Sequence, residues 1–241
     1  MIWLYDASFE GFASAIYAAL SQKDEQAVIQ SEALVQLGLE EVNIVPTEMS
    51  HYDYLIKRLE GFDKQIPRTI YKAWLSKKES IDQLLLAYIR LMLRIKKDPS
   101  TMRYDDLVRA VLKAANDVGT EAYYHVQFIR FRPITSEIYI ADIDPAYDIL
   151  LFMIGEFQDR LAGKKFLIRD RKRGKCLVCD GFQHWLSTEP ELLEIEIHES
   201  DSFSDMWKTY FKHIAIPERT NPKLQTQKVP RRYRKLITEF Q

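Results

Sequence analysis

The chain has 241 residues, 46% hydrophobic and 29% charged, an ordinary globular composition with enough length for one large core or two small ones. Its net charge of -1 excludes a global cationic field, so any claim on a polyanion must rest on local clusters. The start, MIWLYDASFEG, lacks the basic flank and apolar run of a secretory signal, and the richest apolar run, Leu84 to Leu93, is broken by Arg90. A cytoplasmic protein with no membrane association is the expectation.

Residues 2–5 predict a short strand, followed by turn residues Asp6 to Ser8. Phe9, Phe12, Ala15, Ile16 and Leu20 then recur at helical spacing with Ser8 as N-cap. This strand–helix start lacks the glycine-rich turn of a dinucleotide or phosphate loop, so it does not by itself establish a nucleotide fold. Val42 to Val45 predict a second strand ended by Pro46, and His51 to Leu59 a helix. The strongest helix is predicted over Ser76 to Lys97, with Ser76 and Glu79 as a capping box and a broad stripe of Ile81, Leu84, Leu85, Tyr88, Ile89, Met92 and Ile95. A further helix is expected from Tyr104 to Asp117, with Gly119 as its stop.

The period then changes. Phe128 to Arg132 and Glu137 to Ala141 predict an antiparallel hairpin, and Asp144-Pro145 a helix start with apolar residues running from Ile149 to Leu161. Lys165 to Arg169 and Lys175 to Val178 predict a second strand pair, linked by Asp170-Arg-Lys-Arg-Gly174. Residues 189 to 205 hold seven acids and no Lys or Arg; Ser202 and Asp205 fit a capping box for a helix faced by Phe203, Trp207, Tyr210, Phe211 and Ile214. From Pro217 the chain reads as polar and extended, then basic, with Leu224, Val229, Tyr233, Leu236 and Phe240 as anchors onto the body. The whole is an expected α+β protein: a helical N-terminal half packed with an antiparallel hairpin-built sheet and an extended basic C-terminal tail. One domain over 1–241 is the preferred reading, with 66–69 the best alternative boundary.

The charges separate along the chain. Eight basic residues fall between Arg160 and Lys175, and seven more between Pro217 and Glu239. Arg171, Lys172 and Arg173 sit on a predicted turn, where forked or mobile donors that stay protonated can meet phosphate. Arg231, Arg232 and Arg234 surround Tyr233, a ring able to stack on a base. Arg130 and Arg132 would share one strand face about 7 Å apart. The competing reading is that these cations keep the surface solvated or neutralise the acidic stretch within the same molecule.

Catalytic candidates are sparser. Asp6 follows a strand and either serves chemistry or braces the turn. Glu218 and Arg219 precede Asn221-Pro222 and either order a loop or line a pocket; a carboxylate near His213 would permit acid–base work. His125 precedes the first predicted hairpin. No Ser–His–Asp order, H-E-x-x-H or Walker lysine is present. Cys176 and Cys179 stand as C-x-x-C on a predicted strand, where residues three apart point to opposite faces, and the five histidines are scattered, so neither a metal nor another cofactor is expected.

LYDASFEGF at 4–12, HVQFIRF at 125–131, YIADIDPAYDIL at 139–150, FLIRDRKRGKCLVCD at 166–180 and IAIPERTNPKLQTQKVPRRYRKLITE at 214–239 resemble the bacterial family of probable DNA-metabolism proteins built on the domain of unknown function numbered 4130. The last block is the most specific. The resemblance implies a role in DNA repair or modification, beside a radical-SAM protein with a helix-hairpin-helix element or fused to uracil-DNA glycosylase-like domains. Two departures stand out. The family's E-A-H-R start is Glu121-Ala122-Tyr123-Tyr124 here, with the histidine at 125, and the Trp that follows R-Y in the tail is Arg234. The expected function is therefore a DNA-metabolism accessory that binds nucleic acid, DNA above all, through its basic turns and tail. The alternatives are a nucleic-acid-processing enzyme with Asp6, His125, Glu218 and Arg219 in one pocket, and a protein–protein scaffold.

Overall fold

The computed structural model describes residues 1–32, 41–195, 202–214, 216, 219 and 221–240, with the side chains of 202–205, 211 and 239 left out. The chain is α+β and divides into two compact units, Met1–Val118 and Gly119–Gln241. Residues 66–69 lie inside the first unit, at the start of a helix. No helix among the described residues is long and apolar enough to cross a membrane.

The first unit is built on a parallel three-stranded sheet. Strand β1 (Ile2–Tyr5) lies between β2 (Val28–Ser31) and β3 (Val42–Ile44). Helix α1 (Phe9–Ser21) follows β1, capped as expected by Ser8, whose hydroxyl accepts from Gly11 N at 2.8 Å. Its Phe12, Ala15 and Ile16 are fully buried. Helices α2 (Met49–Glu60), α3 (Ile66–Leu75) and α4 (Ile81–Ile95) follow. The predicted stripe of α4 is the core, with Leu85, Ile89 and Met92 at zero exposure, but the helix starts five residues later than expected. The Ser76–Glu79 capping box does not form. Ser76 ends α3, and Lys77 and Ser80 both take left-handed backbone, which breaks the chain into two helices.

Helix α5 (Asp106–Phe128) runs straight through Gly119, the predicted stop. A helical glycine costs about 1 kcal/mol, and burial of Val118, Ala122 and His125 on one side of the helix offsets it. The first predicted hairpin is correspondingly short: β4 is only Arg132–Pro133, antiparallel to β5 (Ile138–Ile143). Next come α6 (Leu150–Arg160), β6 (Lys165–Asp170), β7 (Lys175–Cys179) and β8 (His184–Ser187). The sheet order is β4-β5-β6-β7-β8. It is mixed, because α6 carries the chain over so that β6 lies parallel to β5; β6 and β7 form the expected antiparallel pair. At their turn Gly174 has φ +59°, a conformation natural to glycine.

Helices α7 (Pro190–Glu194) and α8 (Ser202–Ile214) follow; the proposed cap side chains of α8 and the rings of Phe203 and Phe211 lie outside the described residues, as does 196–201 of the acidic stretch. The tail is not extended. Asn221 caps a helix, α9 (Pro222–Lys228), by accepting from Leu224 N at 3.0 Å, and 3-10 turns cover Arg231–Leu236 and Thr238–Phe240. Asn-Pro is a helix-start signal that a reading for charge alone passes over. Tyr233 and Ile237 are the buried anchors of this segment.

Candidate nucleic-acid interface

In the second unit, the basic turn after β6 and the tail segment Arg231–Leu236 meet at the loop Asp144–Ala146. Arg173 Nη1 donates to Pro145 O at 3.2 Å and Nη2 to Ala146 O at 2.8 Å. From the tail, Lys235 Nζ reaches Asp144 Oδ2 at 2.6 Å. Beneath the loop, Glu121 on α5 accepts from Ala146 N on Oε1 at 2.9 Å and from the Tyr233 hydroxyl on Oε2 at 2.9 Å, with Arg232 Nη2 at 3.1 Å. Lys235 first, and Lys172 more weakly, hold the Asp144 carboxyl below its usual range.

The turn is internally braced. Buried Asp170 accepts from the backbone N–H groups of Lys172 and Arg173 on one oxygen and from the Arg173 guanidinium on the other at 2.8 Å. Arg171 is drawn back onto the sheet: its Nε and Nη2 pair with Asp142 and its Nη1 donates to Leu193 O at 2.8 Å. Arg171 and Arg173 therefore bond to the protein's own carboxylates and carbonyls rather than project freely from the sheet edge, although the Arg171 side chain stays about half exposed. Of the three, exposed Lys172 retains its side chain for the surface.

Tyr233 also departs from expectation. At 2% exposure its ring packs against Tyr124, Phe128 and His125, with centroids 4.9 to 6.0 Å away, so it does not offer a face to a base. Arg232 lies over the outer side of that ring at 4.6 Å. Arg234 folds back on Thr226 and Phe240, while Arg231 is exposed. Arg130 and Arg132 do not share a strand. Arg130 sits at the end of α5 with its Nη1 3.3 to 3.4 Å from the carbonyls of residues 127 to 129, a helix C-cap, and half-buried Arg132 is in β4.

Asp6 is a brace in the first unit. It accepts from the Ser8 hydroxyl at 2.5 Å and the Thr47 hydroxyl at 2.8 Å, and the Ser8 bond is the main cause holding its carboxyl below the usual range. His125 belongs to the second unit, and its Nδ1 donates to Glu121 O at 2.9 Å, since a carbonyl only accepts. Burial lowers its affinity for a second proton, so the neutral ring prevails. Exposed Arg219 donates its backbone N–H to Ile216 O; Glu218 lies outside the described residues.

The reading of single residues missed Arg169, Asp142 and Glu121. Arg169 has zero exposure, pairs with both oxygens of Asp142 at 2.6 and 3.0 Å and caps α7 through Leu193 O and Ile195 O. A signal was available: a lone Asp inside one strand and a lone Arg inside the next are a ready cross-strand pair, and they stand directly opposite in register.

No curated protein matches the chain. The family described as "Domain of unknown function (DUF4130)" matches residues 79–239. That span takes in the blocks at 125–131, 139–150, 166–180 and 214–239 and leaves 4–12 outside it. With two thirds of its length matched, the chain belongs to the DUF4130 family.

Proposed function

We propose that this chain is a DNA-metabolism accessory protein that works in the cytoplasm beside a repair or modification enzyme, such as a radical-SAM protein, and binds DNA through the face around the Asp144–Ala146 loop. The observation that carries this reading is the meeting of the two basic segments at that loop. Lys172, Arg173, Arg231, Arg232 and Lys235 gather there against Glu121, Asp170 and Asp144. Glu121 and Asp170 are buried with their oxygens bonded, while Lys172, Arg231, Arg232 and Lys235 are exposed; among the described residues Asp144 is the exposed carboxylate that pairs with this group. The Arg232 and Lys235 side chains are more than half exposed even in their pairs with Glu121 and Asp144, so a phosphate can approach them from outside without dismantling the fold. The buried bonds below fix the backbone that presents them.

Fluorescence anisotropy with labelled single- and double-stranded oligonucleotides tests the reading. The double variant K172E/R231E reverses two exposed charges and leaves the Glu121, Asp170 and Asp142 networks intact. It is expected to weaken binding by about tenfold or more at moderate salt. Wild-type affinity in that variant, or no binding by the wild type, overturns the assignment.

A further inference from the structure

The link between α4 and α5, which lies within the first unit, carries cations that the fold leaves unspent. Residues 94 to 103 hold Arg94, Lys96, Lys97 and Arg103, with Asp98 as their one acid. All four cations are exposed, and among the described residues none of their side chains bonds a carboxylate or a carbonyl. Asp98 does not neutralise them: it accepts from Ser100 N at 2.9 Å, from the Ser100 hydroxyl and from the buried Tyr88 at 3.4 Å. Nor are the cations helix caps. The end of α4 is closed by the backbone N–H of Lys96, which donates to Met92 O at 2.8 Å, whereas Arg130 at the end of α5 is spent on carbonyls.

A solvated helix end is the plainer reading of such a run. Two neighbouring features set this one apart. An open hollow of ≈ 320 Å³ lies between Arg90, Leu91 and Arg94 of α4 and Asp105 and Leu107 at the start of α5. Its acids are largely committed: Asp105 Oδ1 accepts from the backbone of Leu107 and Val108, and Asp106 pairs with Arg109, while exposed Glu25 stands beside Arg90. Next to Asp105, and following the unpaired Arg103, is Tyr104. It is 80% exposed, and its ring and hydroxyl have no partner among the described residues. This is the free aromatic face that buried Tyr233 does not offer.

We propose that the α4–α5 link is a second nucleic-acid contact, one for single strands, with phosphates along Arg94, Lys96, Lys97 and Arg103 and an unpaired base stacked on Tyr104. The inference rests on the nucleic-acid reading above for the class of partner and on none of its residues. An acidic protein segment could use the cations but has no need of the ring, and a duplex keeps its base faces hidden.

Fluorescence anisotropy of the full chain with a labelled single strand and the matching duplex tests this. R94E/R103E breaks no bond of the fold and should weaken single-strand binding about tenfold or more at moderate salt. Tyr104→Leu should weaken it about fivefold or more and leave duplex affinity unchanged. Poly-glutamate at equal charge should not displace the strand. If R94E/R103E does not fold, K96E/K97E takes its place. Wild-type single-strand affinity in the charge-reversed variant or in Tyr104→Leu overturns the proposal, and displacement by poly-glutamate overturns it in favour of an acidic protein partner. If K172E/R231E weakens binding while these variants do not, this inference alone fails; no binding by the wild type overturns both readings.

Discussion

The hydroxyl of Tyr233 donates to Glu121 Oε2 at 2.9 Å, joining positions 112 residues apart. Both residues are 2% exposed, and the other Glu121 oxygen holds Ala146 N. One carboxylate therefore ties the tail, the 144–146 loop and α5 together. Tyr233→Phe keeps the ring and removes the donor, and is expected to cost about 1 to 2 kcal/mol. Glu121→Leu strands three donors and should cost more, about 3 kcal/mol. Urea midpoints at constant slope check both.

Asp142 is the shared partner of Arg169 and Arg171. Asp142→Ala leaves the fully buried Arg169 guanidinium without a carboxylate, a situation that costs about 3 to 5 kcal/mol. The double variant R169M/D142L removes both charges and should recover a large part of that loss. A thermal or urea series over the two single variants and the double one measures the coupling, and additive losses would contradict a pair that acts as a unit.

His125 makes stability depend on pH. Burial holds its folded-state pKa below the ordinary 6.5, opposed by its bond to Glu121 O and by the Glu121 and Asp170 carboxylates, with Arg232 adding to the lowering. The unfolded chain takes up a proton near 6.5 that the folded chain refuses. This contribution is complete above pH 6.5 and declines as pH falls below it. The carboxyls of Asp6, of Asp144 and of Asp117, which accepts from Lys78 Nζ at 2.7 Å, act lower, below their ordinary 3.8. His125→Gln should flatten the stability profile just below about pH 6.5 and leave the acid limb in place.

Gly11 is required by space. A Cβ there would run into Asp6 Oδ1 and stand 2.9 Å from Thr47 Oγ1 and 3.0 Å from Ser8 Oγ. Gly11→Ala is expected to destabilise the first unit by about 1 to 3 kcal/mol, and adding Asp6→Ala should recover part of it, as read by urea unfolding.

Local signals carried well where one residue type does one job. Ser8 before an apolar helix, the α4 stripe and the glycine at the β6–β7 turn all read correctly. Other elements depend on distant partners. The four residues of β2 are a strand because β1 pairs with them, Ile2 opposite Val28, and their own pattern is too short to declare it. α3 begins in the 66–69 stretch that the sequence offers as an alternative boundary, with Pro67 in its first helical turn. The apolar spacing of Val111, Val118 and Ala122 passes through Gly119, and in α5 this period outweighs the glycine. For the site, the sequence offers the 189–205 acids as intramolecular partners for the basic residues, whereas Asp142, Asp170 and Glu121 claim arginines 3 to 111 positions away. Such pairing is set by tertiary packing. What composition and position did convey was that two basic segments exist.

The most direct test of the DNA-binding account is the salt dependence of affinity for duplex DNA. If Lys172, Arg231, Arg232 and Lys235 each neutralise a phosphate, a plot of log K against log salt should have a slope of about −3 to −4, and K172E/R231E should reduce its magnitude by about 2. A slope near zero, or one that the double variant leaves unchanged, contradicts the account.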